Sequence, residues 1–423
     1  MVKIMVIGGG GREHAIVWAL KKSEKVSKLY CAPGNAGIAQ LAECVPIPVN
    51  RFADLIRFAR DHAIDLVVVG PDDPLAAGIV DPFEEAGIPI FGPRKNAAEI
   101  EGSKIFMKGL LKKYAIPTAA YETFTDYEAA LSYLRAQPLP IVVKADGLAA
   151  GKGVTVARTL EEAEEALRGM MLDKVFGESG SQVVIEEFLE GQEMSILAFV
   201  DGETVRPMVP AQDHKPVFDN DEGPNTGGMG TYTPLPHIDP VLVQDAIEHI
   251  IVPTAKAMVS EGRPFRGVLF AGLMITANGV KTIEFNARMG DPETQVVLPR
   301  LKTDLVDIIL AAVNGRLDQL EIEWSDEAAV CVILASEGYP ASYPKGRVIS
   351  GLKEAEAAGA LVFHAGTSFE DGEFVTSGGR VLGVVGRGRD IAEARARAYE
   401  AAGMISFEGM HYRSDIAAKA LRG

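Results

Sequence analysis

Three polar residues near the centre of the chain set the chemistry it can perform. Residues 281–295 (KTIEFNARMGDPETQ) space Glu284, Asn286 and Arg288 two apart. An extended strand therefore turns all three to one face, opposite Ile283, Phe285 and Ala287. Oxygen donors such as Glu284 and Asn286 suit Mg²⁺, which commonly takes one or two protein groups and completes its shell with nucleotide phosphates. Arg288 can grip a phosphate or carboxylate through two parallel hydrogen bonds. Gly290-Asp291-Pro292 reads as a turn at the edge of the same site. Phosphoryl chemistry is expected here; a half-exposed polar strand face is the plainer alternative.

Further clusters fit that expectation. In Lys144-Ala145-Asp146-Gly147-Leu148-Ala149-Ala150-Gly151-Lys152-Gly153 the glycines and lysines suit a triphosphate. The Walker spacing fails, because three residues separate Gly147 from Gly151 and Gly153 stands where a Ser or Thr would meet Mg²⁺. The run lies between two strand patterns, so it reads as a hairpin with a mobile glycine tip, either folding over phosphates or merely flexible. Residues 183–193 form a strand that meets a glycine-marked turn. An adenine could take main-chain hydrogen bonds along it while Glu193 accepts the ribose hydroxyls, unless this is only an acidic surface run. Gly8-Gly9-Gly10-Gly11-Arg12-Glu13-His14 ends a strand and opens a helix, where free N–H groups favour an anion. Glu13 occupies the third glycine position of a dinucleotide fingerprint, and no ribose-binding acid follows about 20 residues on, which argues against a nicotinamide cofactor. Residues 212–230, rich in glycine and polar groups, read as a long functional loop, with His214 structural.

The elements that must position these residues alternate at first. Strands at 2–7, 29–31, 66–69 and 88–91, with helices at 12–21 and 52–61, imply a parallel sheet covered on both faces. Ligands collect at the carboxyl ends of such strands, here 8–14, 33–35 and 70–75. A helix at 103–114 leads to a compact unit at 121–189, with strands at 141–144, 154–157 and 183–187 and a helix at 160–172. Strands at 195–200, 267–275 and 279–285 and helices at 240–260 and 304–314 follow. The acidic run 321–327 marks a boundary before strands at 328–334, 361–364 and 380–386 and a helix at 391–405.

Length and charge bound the partners. A chain of 423 residues suits two to four domains. A net charge of −16 opposes any nonspecific grip on nucleic acid or anionic membrane, so a phosphate-bearing substrate needs local cations and backbone N–H groups. Cys31, Cys44 and Cys331 show neither metal spacing nor a disulfide framework, which suits a reducing cytoplasm. The apolar run 2–7 is too short for a secretory leader, and no window approaches the ~18 apolar residues of a membrane span.

Taken together the motifs resemble the phosphoribosylamine–glycine ligases, a family of the ATP-grasp superfamily, over essentially the whole chain. The resemblance rests on Gly10-Gly11-Arg12-Glu13-His14-Ala15, Ala32-Pro33-Gly34-Asn35-Ala36-Gly37, Glu101-Gly102-Ser103-Lys104, the 144–153 run, Gly223-Pro224-Asn225-Thr226-Gly227-Gly228-Met229-Gly230 and the signature Arg288-Met289-Gly290-Asp291-Pro292-Glu293. It implies an α/β and α+β multidomain chain. An N-terminal parallel-sheet (pre-ATP-grasp) domain at 1–101 would precede an ATP-grasp catalytic region at 102–325, with a mobile lid at about 121–189. A small C-terminal α+β domain would follow at 326–423. ATP and Mg²⁺, with Mn²⁺ as the alternative metal, are the implied cofactors; glycine and 5-phosphoribosylamine are the implied substrates. A monomer or weak homo-oligomer is expected.

By the same resemblance Lys104, Lys144, Gly147, Gly151, Lys152 and Gly153 meet the nucleotide. Glu186, Glu187, Phe188 and Leu189 form the adenine hinge, and Glu193 takes the ribose. Glu284 and Asn286 hold the metal, while Asp213, Lys215, Asn225, Arg288 and Asp291 surround the reacting groups. Gly10, Gly11, Arg12, Glu13, Asn35, Pro71 and Asp72 bind substrate. Three positions depart from the family pattern: Met289 replaces Phe, Pro216 replaces an Arg, and Asp72 replaces Glu. The rivals are another ATP-grasp ligase or carboxylase, separable by ADP release with glycine against bicarbonate, and a noncatalytic nucleotide-binding module. The Glu284/Asn286/Arg288 face argues against the module.

Overall fold

The structure, a computed structural model, describes residues 1–148 and 153–422. Strands β1 (Val2–Gly8), β2 (Val26–Pro33), β3 (Glu43–Cys44), β4 (Leu66–Val69) and β5 (Ile90–Phe91) make a parallel sheet in the order β3-β2-β1-β4-β5. Leu66 to Val69 are all buried, as a sheet covered on both faces requires. Three short helices, Asp72–Ala77, Val80–Glu85 and Lys95–Gly102, escape the sequence pattern. Each spans about two turns or fewer, too short for a 3.6-residue period to emerge, and Pro74 and Pro82 sit within the first two.

The next unit is a small antiparallel sheet. Strands β6 (Tyr121–Phe124), β7 (Ile141–Ala145), β8 (Val154–Ala157) and β9 (Val183–Glu187) lie in the order β6-β9-β7-β8. Helices Tyr127–Arg135 and Leu160–Met171 cover one face and build a separate apolar core around Leu134, Val143, Leu167 and Ile185. Lys144 pairs with Val154, so β7 and β8 are the arms of the expected hairpin. Gly151 and Lys152, at its tip, lie outside the described residues.

Strands β10 (Gln192–Asp201) and β11 (Thr204–Pro207) begin the central sheet. The following segment is not the long loop that its composition suggests. It contains β12 (Gln212–Asp213), a hairpin of β13 (Pro216–Phe218) and β14 (Glu222–Asn225), and β15 (Gly230–Thr233). A helical stretch follows with one wide turn at Ile247–Ile251, where Pro253 removes a backbone donor and crowds the turn before it. Strands β16 (Arg266–Thr276) and β17 (Gly279–Asn286) complete the sheet in the order β11-β10-β16-β17. In β17 Glu284 pairs with Gly272 and Thr282 with Leu273, which leaves Ile283 as a bulge.

The last sheet joins distant parts of the sequence. Strands β18 (Ala328–Ala335), β19 (Leu361–His364) and β22 (Arg380–Gly388) combine with β12 and β15 in the order β12-β15-β18-β22-β19. Strands β20 (Thr367–Glu370) and β21 (Glu373–Thr376) form a hairpin beside it. The backbone N–H of His364 donates to His14 Nδ1 at 2.8 Å. Burial lowers both histidines, His14 to about 3 and His364 to about 4, so the contact is neutral.

Helix Ile391–Met404 packs on β22 through Ala394, Ala398 and Ala402, and Gly386 is what lets it approach. A Cβ at position 386 would lie 2.3 Å from Ala394 O and 2.4 Å from Ala398 N, both fixed backbone atoms. Gly386→Ala should therefore destabilise by about 1–3 kcal/mol in urea unfolding. Gly403→Ala, in the same helix with open space around it, should be neutral or stabilising. Equal midpoints for the two variants would contradict this packing.

Candidate active site

A cleft of about 500 Å³ opens where the small sheet, the central sheet and the N- and C-terminal units meet. At one end Met107, Val142, Val154, Val156 and Met274 form an apolar slot edged by residues 186–189. Beyond Glu187 the chain has no strand partner, so the peptide groups of Phe188 and Leu189 are placed to meet a planar base. Lys104 and Lys144 flank the slot. Lys104 Nζ donates to Gly147 O at 2.8 Å, and Asp146 accepts from Ile105 N at 3.0 Å, fixing the hairpin to the start of helix Lys104–Lys113. Lys144 pairs with Glu186, whose other oxygen pairs with Lys108. The Glu186 side chain is therefore occupied, leaving its main chain for a ligand.

The metal-type pair sits in the middle. Glu284 and Asn286 both reach the cleft, and the bulge brings Ile283 there too, so strict alternation holds only in part. Burial opposes the charge of Glu284, but Lys215, Lys144 and Lys104 outweigh it and hold the carboxyl below its usual range. Among the described residues no three His, Cys, Asp or Glu side chains gather into a metal cage. Two protein oxygens with phosphates to complete the shell match the habit of Mg²⁺, and Glu284 and Asn286 supply that donor set. Glu193, expected from the sequence to take a ribose, pairs with Lys215 at 3.2 Å. That contact, ahead of the opposing effect of burial, raises the Lys215 ammonium.

Guanidinium groups crowd the other end. Arg288 contacts Glu101 at 3.2 Å, and its Nε is buried without a partner. Arg380, on β22, pairs with Asp291 at 3.2 Å and donates to Gly227 O at 2.7 Å and Asp291 O at 2.9 Å. Arg12 and Asp72 complete this end. Burial alone would lower Arg12, but Glu13 and Asp291 hold it above its ordinary value. Asp213 and Glu293 also line the cleft, and burial raises both carboxyls above their ordinary value, each opposed in part by nearby cations. Asn225, from β14, faces the same space.

Five sequence-chosen residues stand outside the cleft lining. The expected anion site at Gly10 and Gly11 is filled from within: Glu13 Oε2 accepts the Gly10 N–H at 2.7 Å, and Glu13 Oε1 pairs with Arg12 at 2.6 Å. Gly8 and Gly70 are small because Glu13 packs against them. Pro71 starts helix Asp72–Ala77 beside the same carboxylate. Asn35 is a tie between sheets, donating to Gly9 O at 3.0 Å and His364 O at 2.8 Å. Four charged residues in or beneath the cleft have no role in the sequence reading: Glu101, Lys108, Glu293 and Arg380. Glu101 and Glu293 lay inside quoted motifs and were available to find. Lys108 and Arg380 carry no local signal.

This architecture, a hinged small sheet over a central sheet with a parallel-sheet domain in front, defines an ATP-grasp protein. Sequence models of phosphoribosylglycinamide synthetase match its N domain at residues 2–101, its ATP-grasp (A) domain at 102–294 and its C domain at 329–419. The chain belongs to the phosphoribosylglycinamide synthetase family. It is 55% identical over 417 residues to a phosphoribosylamine–glycine ligase of Caldanaerobacter subterraneus subsp. tengcongensis, covering 99% of this chain and 100% of that one. It is 52% identical over 423 residues to the Vibrio parahaemolyticus ligase, with 99% of each chain covered. A crystal structure of phosphoribosylamine–glycine ligase from Thermotoga maritima superposes with TM-score 0.88 at 35% identity, covering 98% of this chain and all of that one. A Campylobacter jejuni biotin carboxylase shares the fold, with TM-score 0.75 at 14% identity over 97% of this chain and 93% of that one.

The buried acids make stability depend on pH. A carboxyl whose folded pKa is raised stabilises the fold while protonated, and that contribution is lost as pH rises through the raised value. Asp213 and Glu293 should thus weaken the ligand-free protein as pH climbs above the ordinary carboxylate range. Glu293→Gln should melt higher than the parent, with a margin that widens as pH rises above the ordinary carboxylate range. A margin that shrinks with pH would show that these acids are charged at no penalty.

Proposed function

We propose that the chain joins glycine to 5-phosphoribosylamine with ATP, giving glycinamide ribonucleotide, ADP and phosphate, as the second step of de novo purine biosynthesis. One observation carries the reading: a single cleft runs from the apolar slot, past Glu284 and Asn286, to the guanidinium cluster. The nucleotide lies at the first end, with its base against residues 186–189 and its phosphates toward Lys104, Lys144, Gly147 and Gly153. Glu284 and Asn286 would hold Mg²⁺, or Mn²⁺ in its place, and the bound ion would supply neutralisation of phosphate charge. The ammonium of glycine meets Asp213 and Glu293, a feature that favours an amino acid over bicarbonate. Phosphoribosylamine occupies the end formed by Arg12, Asp72, Asp291 and Arg380. Arg380 supplies a cation there although Pro216 stands where the family often has Arg. Three free thiols, Cys31, Cys44 and Cys331, support a cytoplasmic setting.

A carboxylate is a poor electrophile because its leaving group would be an oxide. Transfer of the γ-phosphoryl to one glycine oxygen forms glycyl phosphate, whose leaving group is phosphate. The 1-amino group of phosphoribosylamine then attacks the carbonyl carbon and phosphate departs. The chain contributes position and charge: Lys215 and Arg288, with its free Nε, face the transferring group. Closure of the small sheet over the cleft would keep water from the acyl phosphate.

Glu284→Gln with Asn286→Ala should keep the fold, judged by its melting temperature, and reduce ADP release on the order of 10³-fold or more. Turnover near the parental rate in the folded variant would remove these two residues from the metal site. A label tests the intermediate. With glycine carrying ¹⁸O in its carboxylate, one labelled oxygen should appear in each inorganic phosphate by mass spectrometry. Unlabelled phosphate would mean that glycine is activated by another route.

A further inference from the structure

Lys108 is fully buried, although it lies one turn after the cleft residue Lys104 on helix Lys104–Lys113. Burial lowers its pKa against the pull of Glu186. Besides pairing with Glu186 Oε2 it donates to Thr118 Oγ1 at 2.7 Å, and its ammonium lies 5.3 Å from the centre of the Tyr121 ring. Thr118 Oγ1 donates to Thr282 O at 2.8 Å, and the Thr282 N–H donates to Pro117 O at 2.9 Å. Thr282 stands two residues before Glu284 on β17. The other oxygen of Glu186 pairs with Lys144, whose Nζ is also 3.4 Å from Ile283 O. One buried carboxylate is thus shared by two ammonium groups, and of these only Lys144 lines the cleft.

We propose that Lys108 is a positioning residue for nucleotide binding, holding Glu186 so that Lys144 can leave that carboxylate for the triphosphate. The proposal rests on the reading that Lys144 meets the phosphates. Without Lys108, every turn of Lys144 toward ATP would strand a buried carboxylate, a far heavier loss than breaking an exposed pair. With Lys108 present Glu186 stays paired before and after. The link through Thr118 to Thr282 anchors this counter-charge to β17, so the strand bearing Glu284 and Asn286 and the nucleotide lysine share one support.

The test measures the Kd of a nonhydrolysable ATP analogue by calorimetry, together with KM for ATP and for glycine. Lys108→Met should raise Kd and the KM for ATP by roughly tenfold or more, with the KM for glycine held within about twofold. Adding Glu186→Gln removes the stranded charge and should restore most of the affinity; a lysine that only fills space would give a loss that the second change deepens. Thr118→Val decides the matter if Lys108→Met fails to fold. It should raise Kd several-fold at a near-parental melting temperature, and an unchanged Kd there overturns the proposal. Lys144→Met separates the two readings. An unchanged Kd in that variant overturns the role of Lys144. A weakened Lys144→Met beside unchanged Lys108→Met and Thr118→Val overturns the proposal alone.

Discussion

A charge taken out of water needs a partner, and here the partners come from distant parts of the chain. Glu101, at the end of the first domain, meets Arg288 at 3.2 Å and accepts the Ala287 N–H at 2.7 Å. Arg380 reaches from the last sheet to Asp291. Glu186 on β9 draws together β7 and the helix beneath it. Each pair adds little net stability over an apolar pair of the same shape, but losing one member leaves an uncompensated buried charge. Such pairs therefore act mainly on geometry. They hold the units of the molecule in the one arrangement that forms the cleft.

That constraint explains how a chain of net charge −16 builds a cleft for anions. Lys104, Lys144, Lys215 and Arg288 all lie close enough to Glu284 to lower it, and Arg12, Arg288 and Arg380 do the same for Asp291. The cations are held in place by acids that a substrate can displace or leave undisturbed. Asp213 and Glu293 are the exception, two acids left mainly to burial and raised by it. The site is thus cationic along the cleft from Lys104 to Arg380, with two acids raised by burial between them.

How much of this was visible in the sequence depended on the range of each interaction. Strands at 66–69, 154–157, 183–187 and 361–364 have the same limits in sequence and structure, because each is a short apolar or alternating run between chain-turning residues. Residues 212–230 misled because Pro216, Gly223 and Pro224 suppress strand signals in a hairpin whose stability comes from elsewhere. Arg413 donates to Pro216 O at 3.1 Å, and His411 lies 2.9 Å from Val217 O. Glu284, Asn286 and Arg288 announced themselves by spacing. Lys108 and Arg380 could not, since an isolated lysine on a helix and an arginine opening an apolar strand look ordinary until their partners at 186 and 291 are brought near. Glu13 shows the opposite error: the right motif was noticed, but its carboxylate occupies the amide that an anion was expected to take.

The composite last sheet has a consequence for how the protein is made. Strands β12 and β15 leave the ribosome about a hundred residues before β18, the neighbour that β15 pairs with. Until then the segment carrying Asp213, Lys215 and Asn225 is tied to β10 at Ala211 but lacks β18 at its other end, and the Arg413 tie arrives later still. The N-terminal domain and the small antiparallel sheet can form during synthesis, each from strands close in sequence. The guanidinium end of the cleft is completed last, so a nascent chain can present the apolar slot while the far end of the site does not yet exist.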